Sequence, residues 1–206
     1  MIEVIPIQIG EIRTNSYLLV TGNECLLIDP GSDETNDIAT IKKFIGEKKL
    51  LAVVYTHNHY DHIQGGYLFT DVPHYMHTED IKTLTTTTKF YEDFRKIRIT
   101  LSEHVEALSE KMTIGPFNFQ VIHTPGHTKG GACLLFSDEK FIITGDTLFC
   151  GTCGRTDLPN GSTKEMKESL ETLEKLDSEL IVYPGHGKSS TIGIEKHSIQ
   201  KLLEEL

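Results

Sequence analysis

Thr56-His57-Asn58-His59-Tyr60-Asp61-His62 decides the reading of this chain. Four side chains able to hold a metal, His57, His59, Asp61 and His62, fall within six residues. They follow directly on LLAVVYT, residues 50–56, a short apolar run that reads as a buried strand. The cluster therefore leaves the end of a strand, where open α/β sheets place their ligands. A loop at that point can turn alternate residues toward two places rather than one. Imidazole and carboxylate are the donors that suit zinc, iron or manganese.

Three further candidates lie in matching contexts. His127 stands in Thr124-Pro125-Gly126-His127-Thr128, Asp146 in Thr144-Gly145-Asp146-Thr147, and His186 in Tyr183-Pro184-Gly185-His186-Gly187. Each follows an apolar run and sits beside glycine, which permits the tight turn that aims a side chain from a strand end. The candidates thus come from separate strand–loop units on one scaffold, the usual build of a catalytic site.

The remaining pattern supports such a scaffold. Strand signals occupy 2–9, 15–21, 24–31, 117–123, 131–136, 140–144 and the start of 179–187. Helical spacing runs over 34–48, with apolar Ile38, Ile41 and Phe44–Ile45, and over 162–176, with Ser162 as N-cap. A last helix is predicted over 191–206, with apolar Ile194, Ile199, Leu202 and Leu203. Residues 78–101 read as a variable, lid-like segment, because four consecutive threonines argue against a stable helix. Together these elements predict one α/β domain over 1–206, with two sheets and outer helices.

Composition narrows the partners. With 20 Lys and Arg against 30 Asp and Glu, the net charge is −10, a poor match to nucleic acid. No apolar run approaches the roughly 20 residues of a membrane span, and MIEVIPIQIG lacks the basic start of a signal peptide. A cytoplasmic protein acting on a small molecule is expected, with its four cysteines reduced. Cys25 and Cys133 sit in apolar strands as small core residues. Cys150 and Cys153 form a lone CxxC, read as incidental thiols with oxidative inhibition as the alternative. His74, His77, His104, His123 and His197 have no motif context and are read as structural or surface residues.

The order HxHxDH, TPGHT, GDT, PGHG resembles the metallo-β-lactamase superfamily over residues from about 12 to 195. That resemblance implies a four-layer αββα sandwich with metals at one edge between the sheets. It implies one metal on His57, His59 and His127, a second on Asp61, His62 and His186, and Asp146 bridging them. Two divalent ions are implied, zinc first, with iron or manganese as alternatives. IDPG at 28–31 also resembles the superfamily, with Asp29 orienting a neighbouring ligand.

Within the superfamily the chain looks most like short forms of glyoxalase II. The stretches that carry this are Gly145-Asp146-Thr147-Leu148-Phe149, Cys153-Gly154-Arg155-Thr156-Asp157, and Pro184-Gly185-His186-Gly187 followed by Thr191-Ile192-Gly193. The resemblance implies hydrolysis of S-2-hydroxyacylglutathione, such as S-D-lactoylglutathione, by a metal-bridging hydroxide. Asp61 and Asp146 are then the catalytic carboxylates. Arg155 and Lys188 are the substrate-binding cations, with Lys129 nearby; Arg155 paired to Asp157 is the alternative reading. Two departures stand out. Only 20 residues follow His186, so no separate C-terminal glutathione-binding helical domain is expected, and Gln64 stands where the motif usually has glycine. The alternatives are a mono-iron persulfide dioxygenase using His57, His127 and Asp146, or hydrolysis of a lactone, β-lactam or phosphodiester.

Overall fold

A computed structural model describes residues 1–206. Strands β1 (Glu3–Ile9), β2 (Thr14–Thr21), β3 (Glu24–Ile28), β4 (Lys49–Val54), β5 (His74–Met76) and β6 (Glu106–Ala107) form the first sheet, in that order. Its first two pairings are antiparallel and the rest are parallel. Strands β7 (Lys111–Ile114), β8 (Phe117–His123), β9 (Ala132–Phe136) and β10 (Phe141–Gly145) begin the second sheet. A small hairpin, β11 (Leu148–Phe149) and β12 (Thr152–Cys153), follows. Strands β13 (Ile181–Pro184) and β14 (Ser190–Thr191) then complete the order β14-β13-β10-β9-β8-β7. The helices are α1 (Thr35–Ile45), the single turn α2 (Tyr60–Ile63), α3 (Thr78–Arg95), α4 (Thr163–Glu174) and α5 (Ile192–Glu205).

Side-chain alternation builds the layers, because successive strand residues face opposite sides. Along β2, Tyr17 and Leu19 point between the sheets while Leu18 and Val20 point outward. Leu26, Ile28, Ala52 and Val54 continue the inner set, and Leu27 and Val53 the outer one, where Ile38 and Ile41 of α1 cover them. The second sheet mirrors this: Leu134 and Phe136 face inward, whereas Cys133 and Leu135 face Met166, Leu170 and Leu173 of α4 and Ile192 and Ile199 of α5. The central strands β2, β3, β9 and β10 are buried on both faces and read as near-continuous apolar runs, whereas β1, β7 and β8 alternate with exposed residues. The result is the predicted αββα sandwich.

Three expectations need correcting. Residues 78–101 contain α3, an 18-residue helix, despite Thr85–Thr88. Thr83 and Thr86 return their hydroxyls to the carbonyls of Glu79 and Thr83, which satisfies them inside the helix. Thr87, Thr88 and Tyr91 are buried, so packing outweighs the weak propensity. Phe44 in α1 and Ile194 in α5 are not core residues; both side chains face solvent, Ile194 at 64% exposure. Ser162 caps α4 as expected, accepting from the Glu165 N–H.

Candidate metal centre

All seven predicted side chains converge at one edge of the sandwich. His57 and His59 leave β4, Asp61 and His62 sit on α2, and His127, Asp146 and His186 follow β8, β10 and β13. Their donor atoms form three groups, each drawn together within 4.8 Å: His57–His59–His127, His57–His62–Asp146, and Asp61–His62–His186. Asp146 lies between the outer two groups. Its Oδ2 is 3.3 Å from His127 Nε2 and 3.5 Å from His186 Nε2, and its Oδ1 is 3.3 Å from His62 Nε2. Six of the seven residues are buried, and His186 is half-buried at the rim.

Three of the five rings, those of His57, His62 and His127, have a partner on the far nitrogen. His127 Nδ1 donates to the Arg155 carbonyl at 2.7 Å. His62 Nδ1 meets Asp29 Oδ2 at 2.9 Å, as expected for Asp29. His57 Nδ1 lies 3.1 Å from Thr56 Oγ1, which itself donates to Asp29 at 2.6 Å. Such partners fix the tautomer and direct Nε2 into the site. There the Nε2 atoms of His57, His62 and His127, together with Asp146 Oδ1, are buried without a hydrogen bond. Buried polar atoms are otherwise almost always satisfied. Four orphaned donors aimed at each other have the geometry of ligands for a divalent cation, and the His/Asp set suits one.

The electrostatics agree. Burial drives the imidazoles of His57 and His59 well below the ordinary histidine range, so they are neutral, as ligands must be. His62 runs the other way: burial opposes its charge, yet Asp61, Asp146 and Asp29 raise it well above the ordinary range. Burial alone would push the Asp61 and Asp146 carboxyls up, but the surrounding imidazoles, His62 first, hold both well below. Three carboxylates around one imidazole make this a pocket that demands positive charge.

The predicted substrate cations are placed differently from one another. Arg155 is bound by Asp157 through Nε and Nη2 at 2.6 and 2.7 Å, on the surface beside the His127 loop. The Arg155–Asp157 pair that the sequence suggested is thus present, and the guanidinium fork is engaged within the chain. Lys188 is exposed two residues after His186 and makes no ion pair, and Lys129 is exposed two residues after His127. Gln64 turns away from the centre and donates to Asp33 Oδ1 at 2.9 Å, so the unusual residue braces the 30–33 loop. Cys150 and Cys153 are free thiols at the β11–β12 hairpin, and burial raises the Cys153 thiol, the opposite of an activated one. His123 stacks on His77 outside the centre at a ring distance of 4.0 Å.

The family model of the Metallo-beta-lactamase superfamily matches residues 9–186. The chain belongs to that superfamily. Curated relatives include a probable metallo-hydrolase of Streptococcus pyogenes, 35% identical over 89% of this chain and 83% of that protein. Another is the probable metallo-hydrolase YqgX of Bacillus subtilis, 33% identical over 91% of this chain and 92% of that protein. Among solved structures, the BLEG-1 B3 metallo-beta-lactamase superposes with a TM-score of 0.85 at 31% identity, covering 97% of this chain and 99% of that one. TTHA1623 in a di-iron-bound form gives a TM-score of 0.83 at 32% identity over 94% and 98%. The chain is thus a metallo-hydrolase of the metallo-beta-lactamase superfamily, with a His/Asp cluster for divalent metal. No helix is long and apolar enough to cross a membrane.

Two residues of this superfamily site escape the motifs. Thr14, at the start of β2, donates Oγ1 to Asp61 Oδ2 at 2.8 Å and bridges to His186. Tyr91 of α3 sets its ring edge-on to His59 at 5.2 Å, and burial pushes its phenol up. Neither carries a local signal, since each reaches the site from a distant element.

Proposed function

We propose that the chain is a dinuclear metal-dependent thioesterase of glyoxalase II type, cleaving S-2-hydroxyacylglutathione, such as S-D-lactoylglutathione, or a related thioester. The observation that carries the dinuclear reading is Asp146, whose two oxygens face His62, His127 and His186 at 3.3–3.5 Å between two donor groups. The first group is His57, His59 and His127; the second is Asp61, His62 and His186. Zinc is the first choice of metal, and iron is the second, in keeping with the di-iron neighbour. Bound there, a pair of divalent ions would supply a water-derived nucleophile near neutral pH and Lewis-acid stabilisation of the developing oxyanion.

The chain's own groups do the rest. Asp61 and Asp146 stay ionised, because the imidazoles hold them low, and so keep the cluster's charge fixed. Thr14 fixes Asp61 and the Arg155 carbonyl fixes His127, so neither ligand needs to reorganise. Buried Tyr91 and half-buried Phe149, whose ring lies 5.9 Å from His186, narrow the approach to water. A thiolate leaves readily, since a cysteine-type thiol has a pKa of about 8.5, so no strong general acid is needed. Lys188, two residues after His186, and Arg155, whose carbonyl holds His127, suit the carboxylates of an anionic thiol handle. For Arg155 this requires exchange of Asp157 for substrate, an easy step, because the pair is exposed and screened by solvent.

The test follows the thioester absorbance of S-D-lactoylglutathione with metal-loaded protein and an Asp146→Ala control. Turnover in the wild type and none in the control is expected. Asp157→Ala should lower KM by freeing Arg155, and Arg155→Ala should raise it. Loaded protein with two metals but no thioester turnover overturns the reading. Cephalosporin hydrolysis would then favour the β-lactam alternative, and oxygen uptake on glutathione persulfide the dioxygenase.

A further inference from the structure

Helix α3 supplies none of the candidate ligands, yet it holds the loops that do. Asp80, in its first turn, is fully buried and forms no ion pair. Its Oδ2 accepts from the Asn58 N–H at 2.9 Å and from Thr128 Oγ1 at 2.8 Å. Its Oδ1 accepts from the Gly130 N–H at 2.6 Å. Asn58 answers by donating Nδ2 to the Asp80 carbonyl and to Thr83 Oγ1, both at 2.9 Å. Gly130 is required for this approach: a Cβ there would stand 2.3 Å from the Asp80 nitrogen and 2.6 Å from its Cβ.

The partners identify the purpose. Asn58 lies between His57 and His59, and Thr128 follows His127. One carboxylate therefore spans both loops that carry the first donor group. A buried charge is costly unless fully hydrogen-bonded, and a neutral amide of the same shape satisfies fewer of these partners. Asparagine accepts through one atom only and would turn an NH₂ against a donor. A carboxylate, whose two oxygens can accept from all three donors, thus suits the place where backbone N–H groups from two separate loops are held in register.

We propose that Asp80 is a positioning residue of the metal centre, setting the separation of the His57–His59 loop and the His127 loop and so the metal affinity of that group. This rests on the dinuclear reading of the centre and is independent of the substrate. It is tested by titrating zinc into chelator-treated wild type, Asp80→Asn and Thr128→Val, with cobalt absorption spectra and amide hydrogen exchange of Asn58 and Gly130. Asp80→Asn should weaken one zinc equivalent by about 10- to 100-fold, the range typical of groups that orient ligands. It should also change the cobalt spectrum and speed exchange at both amides. Thr128→Val removes one of the three bonds and should give a smaller loss in the same equivalent, so it carries the test if Asp80→Asn does not fold. Unchanged zinc affinity with a lower melting temperature would overturn the proposal and leave Asp80 a purely structural group. Equal weakening of both equivalents would overturn it too. Failure of wild type to bind zinc or cobalt would overturn the metal-centre reading itself, whereas absent thioester turnover with normal zinc binding would leave the role of Asp80 standing.

Discussion

Gly185 has no room for a side chain. A Cβ there would stand 2.1 Å from Asp146 Oδ1 and 2.8 Å from His62 Cε1, inside the candidate centre. Its backbone is not in the left-handed region, so an alanine would meet no conformational penalty, only the lack of space. Gly185→Ala should therefore abolish stoichiometric metal binding while the far-ultraviolet circular dichroism stays that of the wild type. Metal analysis after dialysis reads the loss, and two bound equivalents in the variant would sink the argument. At this scale the sequence was generous. The glycines beside His127, Asp146 and His186 mark turns that a strand end needs, and the donors themselves are rare side chains in tight motifs. Asp29 was legible only through the resemblance of IDPG to the superfamily, since a carboxylate at a strand–turn is by itself an ordinary turn residue. Arg155 shows where legibility stops: its charge was visible, but its engagement by Asp157 depends on rotamers that no motif specifies.

At the scale of elements, helix α3 is the instructive case. Thr85–Thr88 argued against it, and only burial of Thr87, Thr88 and Tyr91 against the rest of the molecule reverses that preference. Its start depends on His77, whose Nδ1 accepts from the Glu79 N–H at 3.4 Å. Burial lowers the His77 imidazole to about 4, the stacked His123 and Lys82 add to this, and Glu79 opposes it. A folded-state value below the unfolded 6.5 means that the unfolded chain binds the proton first. Stability from His77 is thus complete above pH 6.5 and is lost as the pH falls from about 6.5 to 4, where protonation also removes the cap. His77→Asn keeps a capping oxygen without the titration. Its melting temperature should fall less steeply than that of the wild type across that window, and parallel curves would exclude His77 as the source. Every other ionisable side chain is common to the two proteins, so the difference between them isolates this residue. The longer strands were readable because β2, β3, β9 and β10 are apolar on both faces and β1 and β8 keep an apolar alternation. The two- to four-residue strands β5, β6, β7 and β14 were not, because so few residues carry no period and their pairing is set by distant partners.

At the scale of the molecule, the two sheets must be held in register where the centre straddles them. The first sheet provides that brace from β2. Asn15 donates its backbone N–H to the Gly185 carbonyl at 2.7 Å and its Nδ2 to the carbonyls of Pro184 and Gly187 at 3.0 and 2.9 Å. Tyr17 donates its hydroxyl to the same Pro184 carbonyl at 2.6 Å. These bonds tie the loop bearing His186, from the second sheet, to the strand whose Thr14 holds Asp61. No local pattern announces them, since the partners lie about 170 residues apart in sequence. Because Asn15 and Tyr17 share one acceptor, their removal should not be additive. Tyr17→Phe alone leaves the Pro184 carbonyl bonded to Asn15 and should cost about 1 kcal/mol. Asn15→Ala frees the Gly187 carbonyl and should cost about 1–3 kcal/mol. The double variant strands a buried carbonyl that either single variant keeps satisfied, so its cost should exceed the sum by about 0.5 kcal/mol or more. Urea unfolding of the chelator-treated proteins measures all three. Strict additivity would mean that the two donors act on separate parts of the fold, and that the Pro184 carbonyl is not the point at which the first sheet holds the second.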